Sequence, residues 1–425
     1  MRILAISDGG CTTGFGIVAH ELYSRWVKRG HSVDVLAINY RGDPWPADYR
    51  LWTTYGNDVY GGSRIVEMLN RIKPDVVFIL NDLPIINKYL FNNPYDPNKE
   101  LQKYPIMLYV PVDCKGLPPS WINPIKATDG CAVQSYWGQR VIKEEYGLEV
   151  DVAWHSINKD NYFKLSEEHT QEIQATFNGK SERLKVSNKE EAKEAMHLKD
   201  KFIVLNVNRN SQRKNLGDTI RIFSEFAKDK EDAFLYLHTL DVDNGINLYE
   251  YIERFKIAGK IGITPKLNTF VGIEPQALNI FYNMADVFLT TSWGEGFGLS
   301  SAEALATGLP VIATDFSAMT EVVGEGGILV PPSEYILSGT GVDLAIPDRK
   351  GMVEALNDLY YHKDKREELS KKALRHAEDF SWDIEADKLF NLLQKTIKKH
   401  RNKARMNKVI GGGELKNGRY RTNKS

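Results

Sequence analysis

The sequence predicts an α/β protein with two Rossmann-like, doubly wound parallel-sheet domains that face each other across a cleft. The chain has 425 residues, more than a single hydrophobic core usually supports. Short apolar runs alternate with helical stretches through both halves, which is typical of parallel sheets. Hydrophobic residues make up 42% of the chain, yet no apolar run approaches the roughly 20 residues that span a bilayer.

The first half, residues 1–158, is predicted to form the N-terminal domain. Its strands are short runs rich in Val, Ile and Leu, separated by amphipathic stretches such as 18–28. The predicted strands are 3–7, 33–38, 76–80 and 106–110.

Residues 159–200 are predicted to be a polar connecting segment, because they are rich in Lys and Glu and show little apolar periodicity. The C-terminal domain then covers 201–380. Its predicted strands are 202–207, 234–237, 269–272, 287–290, 311–314 and 328–330.

The C-terminal end is strongly basic. Residues 395–425 contain eleven Lys or Arg and one acidic residue, so this end carries +10 whereas residues 1–394 carry −11. A helix is predicted over 381–400 and a flexible basic tail over 401–425, since glycine and polar residues there bury little surface. The tail could attract an anionic membrane surface or nucleic acid, or could only solubilise the chain, and the sequence leaves these three open.

The N-terminus predicts a strand directly after Met1 rather than the apolar region of a secretory signal. Cys11, Cys114 and Cys131 are too few and too scattered for a disulfide framework or a metal cluster. We therefore expect a reducing, cytoplasmic setting, with peripheral membrane contact as an option.

Glu295 and Glu303 are the most informative residues. They bracket a glycine-rich turn at 294–298, and the second carboxylate lies just over one turn into a predicted helix, Leu299–Ala306. Backbone N–H groups at such a helix start can approach a phosphate closely, and the helix dipole favours its negative charge. The competing interpretation is an ordinary polar turn with two solvated glutamates.

The string from Ser292 to Thr314 resembles the E-x7-E signature of retaining glycosyltransferases of the GT-B fold, in the group 1 type of glycosyltransferase family 4. The resemblance implies that Glu303 binds the ribose of a nucleotide and that Glu295 reaches hydroxyls of the donor sugar. It also implies a C-terminal helix that crosses back to the first domain, beginning near Trp382. The N–H groups implied to surround the donor diphosphate belong to Gly296, Phe297, Gly298 and Leu299.

Two basic residues follow the predicted strand Phe202–Val207. Arg209 and Lys214 look like the basic couple of this family that grips the leaving diphosphate, with Arg213 as an alternative for the second cation. Fixed cations there stabilise the charge that develops as the glycosidic bond breaks. Surface charges without a role are the weaker interpretation.

The glycine-containing loop after the first strand has two interpretations. Thr13 and Gly14 occupy the place of the family's paired glycines, which close on the donor diphosphate, and Gly16 can compensate for the missing glycine. The string from Gly14 also fits G-x-G-x-x-A of dinucleotide-binding proteins. Two observations argue against that match. The dinucleotide-binding string should follow its strand directly, but several residues lie between the first strand and Gly14, and the second strand ends in Asn39 rather than in a ribose-binding acid.

Partial signals come from Asp113 and His155. Asp113 follows a strand where many relatives have a histidine and then an aspartate, and only the aspartate is present here. His155 lies in a turn that resembles His-Gly-Val-Asp of the family, so it either lines the cleft or is structural. Asn81 and Asp82 also end a strand and could meet an acceptor or form an exposed turn.

No metal and no cofactor are predicted. Asp241 and Asp243 match the short D-x-D pattern of metal-dependent GT-A enzymes, but GT-B enzymes use basic residues and helix dipoles instead. The donor substrate is expected to be a nucleotide-diphospho-sugar, with UDP or GDP favoured.

The resemblance thus implies a retaining, metal-independent hexosyl or pentosyl transferase. The acceptor is expected to be a hydroxyl on a glycan or lipid-linked glycan, with modified nucleic acid as an alternative. Two other functional classes stay open. They are an NAD-dependent oxidoreductase and a noncatalytic protein that binds nucleotide-sugar or polymer. The predicted catalytic residues are Asp113, Arg209, Lys214 and Glu295.

Overall fold

A computed structural model describes residues 1–177, 180–241, 243–265, 267 and 272–414, with the backbone alone at 175–177, 180–182 and 407–414. It contains two parallel sheets, one of seven strands and one of six, and two antiparallel strand pairs. The predicted α/β class with two parallel-sheet domains is confirmed.

The first domain is built on the seven-stranded sheet, in which β1 lies centrally in the order β3-β2-β1-β4-β5-β6-β7. The strand order reverses between β1 and β4, so the carboxyl ends of these strands border a crevice suited to ligands. The strands are β1 (Arg2–Asp8), β2 (Ser32–Ile38), β3 (Arg50–Thr53), β4 (Val76–Leu80), β5 (Ile106–Val110), β6 (Gly130–Val133) and β7 (Asp151–Val152).

Among the described residues, five α-helices from the first half of the chain pack around this sheet. The first is capped by Thr13, whose hydroxyl accepts a hydrogen bond from the N–H of Gly16 at 3.0 Å. The helices are α1 (Gly14–Lys28), α2 (Ile65–Ile72), α3 (Leu83–Phe91), α4 (Pro119–Ala127) and α5 (Tyr136–Tyr146).

The predicted connecting segment is structured and packs on the second domain. It forms an antiparallel hairpin of β8 (Gln171–Phe177) and β9 (Lys180–Val186), followed by α6 (Lys189–Ala195). Val186 and Ala192 are buried in the core of the second domain. The many Lys and Glu residues on its outer side interrupt the apolar pattern, so the sequence alone does not indicate that these residues are buried.

The second domain is built on the six-stranded sheet, in the order β12-β11-β10-β13-β14-β15. Of the strand predicted over 269–272, only Gly272 lies within the described residues. The edge of the sheet next to β11 is formed by β12. The strands are β10 (Phe202–Val207), β11 (Ala233–His238), β12 (Ile261–Ile263), β13 (Val287–Leu289), β14 (Val311–Thr314) and β15 (Gly327–Val330), with a hairpin of β16 (Pro332–Leu337) and β17 (Asp343–Pro347).

The helices of this domain include the one predicted after the glycine turn, with the predicted bounds. They are α7 (Leu216–Phe226), α8 (Leu248–Arg254), α9 (Pro275–Met284), α10 (Leu299–Ala306), α11 (Met319–Val323), α12 (Arg349–Tyr361) and α13 (Lys363–Ala377).

The last helix, α14 (Trp382–Glu414), crosses back and packs on the first domain. Trp382, Leu389 and Leu393 are buried in the first-domain core, and the indole of Trp26 donates to the carbonyl of Ala386 at 3.0 Å. The helix runs beyond the predicted end at residue 400, so the first part of the predicted flexible tail is helical, while 415–425 lie outside the described residues. None of the helices in the described ranges has the length and apolarity required to cross a membrane.

Candidate active site

The two domains meet where the strands of both sheets end. A side chain on Gly294 would overlap the carbonyl oxygen of Asp113, and a Cβ on Gly296 would lie 2.6 Å from the Cβ of Pro111. The glycine turn of the second domain therefore lies directly against the residues that follow β5. Glycine is needed at both positions because no side chain fits between the two backbones.

Glu295 lies at the centre of a buried charge cluster. Its carboxylate accepts from Lys214 Nζ at 2.5 Å and from Arg213 Nη1 at 3.0 Å, and Arg213 also donates to the carbonyl of Gly294. Burial alone would raise the pKa of Glu295, but Lys214 and Arg213 lower it to about 2. Glu295 is therefore ionised at any physiological pH.

The two cations beside Glu295 come from a 3-10 turn at Gln212–Lys214 that precedes α7. Burial lowers the pKa of Lys214 and outweighs the opposing effect of Glu295. Arg213 approaches a second carboxylate across the cleft, with 3.5 Å between its Nε and Asp113 Oδ2. Arg213 thus bridges the two domains. Together with Lys214 it forms the pair of cations beside Glu295.

Arg209, the other predicted cation, is placed differently. It forms a two-point ion pair with Asp243, at 3.0 Å for Nε and 3.1 Å for Nη2. Asp243 belongs to the D-x-D string, and this contact gives its carboxylate a cation as partner. Arg209 is about half exposed, at 53% of its side-chain surface, and its charge also acts on Asp8 at the end of β1.

The start of α10 has the geometry expected of an anion site. Gly298 precedes the helix with φ of 97°, a left-handed conformation that only glycine adopts easily. A side chain there would also overlap Met319. Phe297 is buried and packs against Phe380 with 5.6 Å between ring centroids, which fixes the turn. The backbone N–H groups of Leu299 and Ser300 have no intrahelical carbonyl to donate to, whereas those of Ser301 and Ala302 donate to the carbonyl of Gly298.

Glu303 is buried on α10 and hydrogen-bonded to tyrosine. The hydroxyl of Tyr282 donates to its Oε2 at 2.6 Å, and Tyr162 also lies within hydrogen-bond reach. Burial raises the pKa of Glu303 to about 7, despite these hydroxyls, which lower it. The carboxyl group can therefore exchange a proton near neutral pH.

The loop after β1 reaches the second domain. A Cβ on Gly14 would lie 3.8 Å from Leu299, and one on Gly272 would lie 2.9 Å from the hydroxyl of Thr12. The hydroxyl of Thr13 donates to Asp8 Oδ2 at 2.5 Å. Gly14 thus lies close to the start of α10, directly after Thr13, the cap of α1.

Gly16 has a local reason to be glycine. A side chain there would collide with the carbonyl oxygen of Cys11, so Gly16 lets the first turn of α1 pack on the loop. The three cysteines of the chain are free and buried.

Three carboxylates line the first-domain side of the cleft. Asp8 ends β1, Asp82 and Asp113 follow β4 and β5, and the charges of Asp113 and Asp8 both act on Asp82. Burial, together with the smaller effects of Asp113 and Asp8, raises the pKa of Asp82 to about 6 against the lowering effect of Arg213. This side of the cleft is therefore acidic, whereas the opposite side carries Arg213 and Lys214.

His155 is packed among aromatic rings. It is 4% exposed, and its ring lies 5.4 Å from Tyr109 and 5.5 Å from Phe297. Burial lowers its pKa to about 3, so the imidazole is neutral. The sequence left two roles open for His155, lining the cleft or supporting the structure. This environment favours the structural role, in which His155 supports the turn at Phe297.

Several residues at the site carry no recognisable sequence signal. Tyr162 and Tyr282 lie in the connecting segment and in α9, far from Glu303 in sequence. Ser317 accepts from the N–H of Glu295 at 2.8 Å, and Glu321 accepts from the N–H groups of the first-domain helix α5. Only the folded chain brings these side chains together.

The family whose sequence model matches is described as Glycosyl transferases group 1, and the match covers residues 187–376. That range contains the basic turn, both glutamates and the glycine turn between them. The matched range begins in the connecting segment and runs through most of the second domain. The predicted resemblance is thereby confirmed.

Known relatives match part of the chain. Spore coat protein SA of Bacillus subtilis is 28% identical over 210 residues, which covers 49% of this chain and 52% of that protein. A D-inositol 3-phosphate glycosyltransferase of Rhodococcus erythropolis is 31% identical over 149 residues, 35% of this chain and 30% of that protein. The matched segments span about half or less of these relatives.

Solved structures confirm the GT-B fold over nearly the whole chain. Sucrose-phosphate synthase from Thermosynechococcus elongatus superposes with a TM-score of 0.71 at 15% identity and covers 93% of this chain and 98% of that one. Anabaena HepE in complex with UDP and glucose gives 0.67 at 14% identity, covering 93% and 99%. The fold of these proteins is shared along both domains of the chain.

Proposed function

We propose that this protein is a retaining, metal-independent glycosyltransferase that moves a sugar from a nucleotide-diphospho-sugar to a hydroxyl acceptor. The observation that carries the proposal is the convergence of Lys214 and Arg213 on Glu295 beside the N-terminal end of α10. Two cations and a helix start are suited to a diphosphate leaving group, and the group 1 match covers all of them.

The donor is proposed to lie on the second domain. Glu303 would accept hydrogen bonds from the ribose hydroxyls, the N–H groups from Gly296 to Leu299 would meet the diphosphate, and Glu295 would bind sugar hydroxyls. The solved HepE complex contains UDP and glucose, which supports a UDP-linked sugar as the first donor to test. Arg209 would also bind the diphosphate. It would either release Asp243 to do so or keep Asp243 as a partner that orients its guanidinium group.

The acceptor is proposed to be a neutral, hydroxyl-bearing group such as a sugar of a glycan or lipid-linked glycan. Asp8, Asp82 and Asp113 line the first-domain side, and carboxylates accept hydrogen bonds from hydroxyls but repel a phosphate. D-inositol 3-phosphate, which appears in the names of relatives, would place a negative charge beside them. We therefore expect acceptor preference to differ from that of those relatives.

In the proposed chemistry, the acceptor hydroxyl attacks from the face that the diphosphate leaves. The bond between the anomeric carbon and the diphosphate oxygen breaks, the bond to the acceptor oxygen forms, and the acceptor proton passes to the leaving phosphate oxygen. Lys214 and Arg213 stabilise the charge on the diphosphate as it departs. Closure of the cleft excludes water that would otherwise hydrolyse the donor.

Slow hydrolysis of a panel of nucleotide-sugars tests the proposal without knowledge of the acceptor. Lys214→Ala and Glu303→Ala should each reduce turnover of the preferred donor strongly, Lys214→Ala by on the order of 10²–10³-fold, as for loss of one oxyanion donor. Lys228→Ala, an exposed lysine of the same domain, is the matched control and should retain full turnover. Circular dichroism should show that all three variants are folded.

Wild-type turnover in either site variant would refute the assignment. A thermal shift with NAD and none with nucleotide diphosphates would favour the oxidoreductase class instead. Binding of a nucleotide-sugar without any turnover would favour a noncatalytic protein. The anomeric configuration of the product, followed by NMR, tests retention.

A further inference from the structure

The outer side of α14 carries a dense positive surface that the proposed sugar transfer does not use. No acidic residue occurs between Asp387 and Glu414. Five exposed cations on this stretch define what we call the basic face. They are Lys395, Lys398, Lys399, Arg401 and Arg405.

The basic face points away from the first domain. Thr396 is buried and donates to the carbonyl of Leu392, and His400 and Lys403 contact Asp129 at 2.7 and 2.9 Å. At about 100° per residue, these three inner positions lie on one side of the helix and the basic face covers an arc of about 160° on the other. Contact with the domain thus fixes which side of the helix is presented to solvent.

The charges of the basic face are not used within the protein. Over the described part of the chain, the side chains of its five residues form neither ion pairs nor hydrogen bonds, in contrast to Lys403, which binds Asp129. Five like charges within about 15 Å of helix repel one another. An anionic partner would relieve that repulsion.

The position of this surface separates it from the candidate active site. Asp129 directly precedes β6, so α14 passes the amino end of that strand, whereas the cleft is at the carboxyl ends. A ligand on the basic face would therefore hold the protein near a partner without occupying the cleft.

We infer that the basic face of α14 binds the phosphate backbone of double-stranded nucleic acid without reading its sequence. A duplex carries one negative charge per roughly 1.7 Å, so about 15 Å of duplex offers enough phosphates for all five cations. A helix that lies in a membrane surface needs a broad apolar face. Here the inner side of the helix is occupied by the first domain, and the outer side is cationic, with Met406 as an exposed apolar neighbour.

Fluorescence anisotropy of the full chain with a short mixed-sequence DNA duplex tests this inference, with salt varied between about 50 and 200 mM. Neutralisation of five phosphates predicts a slope of log affinity against log salt of about −4 to −5. The charge reversal Lys398→Glu, Lys399→Glu, Arg401→Glu and Arg405→Glu, made together, should reduce the magnitude of that slope by about 3 to 4. The same four positions changed to Gln give a milder variant in case the reversal unfolds the helix.

A matched control carries the same change in net charge at exposed lysines elsewhere. Lys88→Glu, Lys199→Glu, Lys228→Glu and Lys350→Glu together should leave both affinity and slope close to the wild-type values. An equal loss in both variants, or no loss in either, would overturn the inference. So would binding to phosphatidylserine-containing vesicles without binding to the duplex. Donor hydrolysis should be unchanged in the α14 variants, so failure here is distinct from failure of the proposed sugar transfer.

Discussion

Two buried glutamates of α10 and its preceding turn have opposite proton affinities for a definite reason. Burial raises the pKa of both carboxyl groups. Lys214 and Arg213 reverse this effect at Glu295, whose pKa is about 2, whereas the tyrosine hydroxyls beside Glu303 offset it only in part and leave a pKa of about 7. Glu295 therefore acts as a permanent charge, and Glu303 as a group that titrates.

Glu303 should make the stability of the second domain depend on pH. Its native pKa lies above the ordinary value of 4.5, so between about pH 5 and 7 the native state holds a proton that the unfolded chain has lost. The free energy of unfolding should therefore fall as pH rises through this window, by about 3 kcal/mol in total, and then level off. Glu303→Gln should remove the Glu303 share of this fall and leave the smaller share of Asp82, whose pKa is also raised, as measured by urea unfolding at pH 5 and pH 8.

An exposed carboxylate of the same domain supplies the comparison for that experiment. Glu231→Gln should retain the wild-type dependence on pH, because Glu231 is open to solvent. A parallel decline in wild type and Glu303→Gln would show that the proton is held elsewhere.

At the residue scale, the sequence identifies groups but not their pairing. Arg209 and Arg213 both follow β10 closely, and only the 3-10 turn at Gln212–Lys214 determines that Arg213 meets Glu295. The tyrosines around Glu303 were not predictable, since Tyr162 lies 141 positions away in the connecting segment. Contacts at such separation depend on the packing of whole elements.

At the element scale, the predictions succeed where one local pattern determines an element. The helix Leu299–Ala306 was predicted with its observed bounds, because the left-handed glycine before it and the apolar run after it both mark its start. Strands β3, β6, β7 and β12 and the hairpins β8–β9 and β16–β17 were missed. Strand β3 and the described side chains of β8–β9 are partly exposed and rich in polar residues, so their sequence lacks the apolar signal of a buried strand. Strand β6 is mostly buried but has only four residues, so its apolar run is too short to stand out.

A contact between α11 and α5 should hold the cleft closed. The carboxylate of Glu321 accepts from the N–H groups of Tyr136 and Trp137, each at 3.2 Å, at the N-terminus of α5. A carboxylate at a helix start is worth about 1 to 2 kcal/mol when partly buried. Glu321→Ala should therefore populate more open forms, with a larger radius of gyration in small-angle X-ray scattering and a higher KM for the donor.

Glu325 offers a control close to this contact. It is exposed and follows α11 directly, so Glu325→Ala should leave the radius of gyration unchanged. Saturating nucleotide should return Glu321→Ala to the wild-type radius if the variant has lost closure rather than structure. The same radius in wild type and Glu321→Ala would contradict the proposed role of this contact.

At the scale of the whole molecule, α14 connects the two domains through its first turns. Glu385 accepts from the N–H of Trp154 at 3.0 Å, and Arg25 of the first domain binds Asp383 at 2.6 Å. The ring of Trp382 lies 6.1 Å from His155, which in turn packs against Phe297 in the glycine turn. A series of ring contacts therefore joins the crossing helix to the donor side of the cleft.

Trp382→Ala should consequently affect both stability and donor binding. Truncation of a fully buried tryptophan typically costs about 3 to 5 kcal/mol, and the cavity would lie beside His155, so the support of Phe297 and the start of α10 would weaken. Ile384→Ala is the matched control, because Ile384 lies two positions further on α14 and is 60% exposed. Trp382→Ala should lower the temperature of thermal unfolding and raise the KM for the donor. Ile384→Ala should change neither quantity. If Trp382→Ala lowered stability without raising KM, the ring contacts would hold the domains together but would not support the donor site.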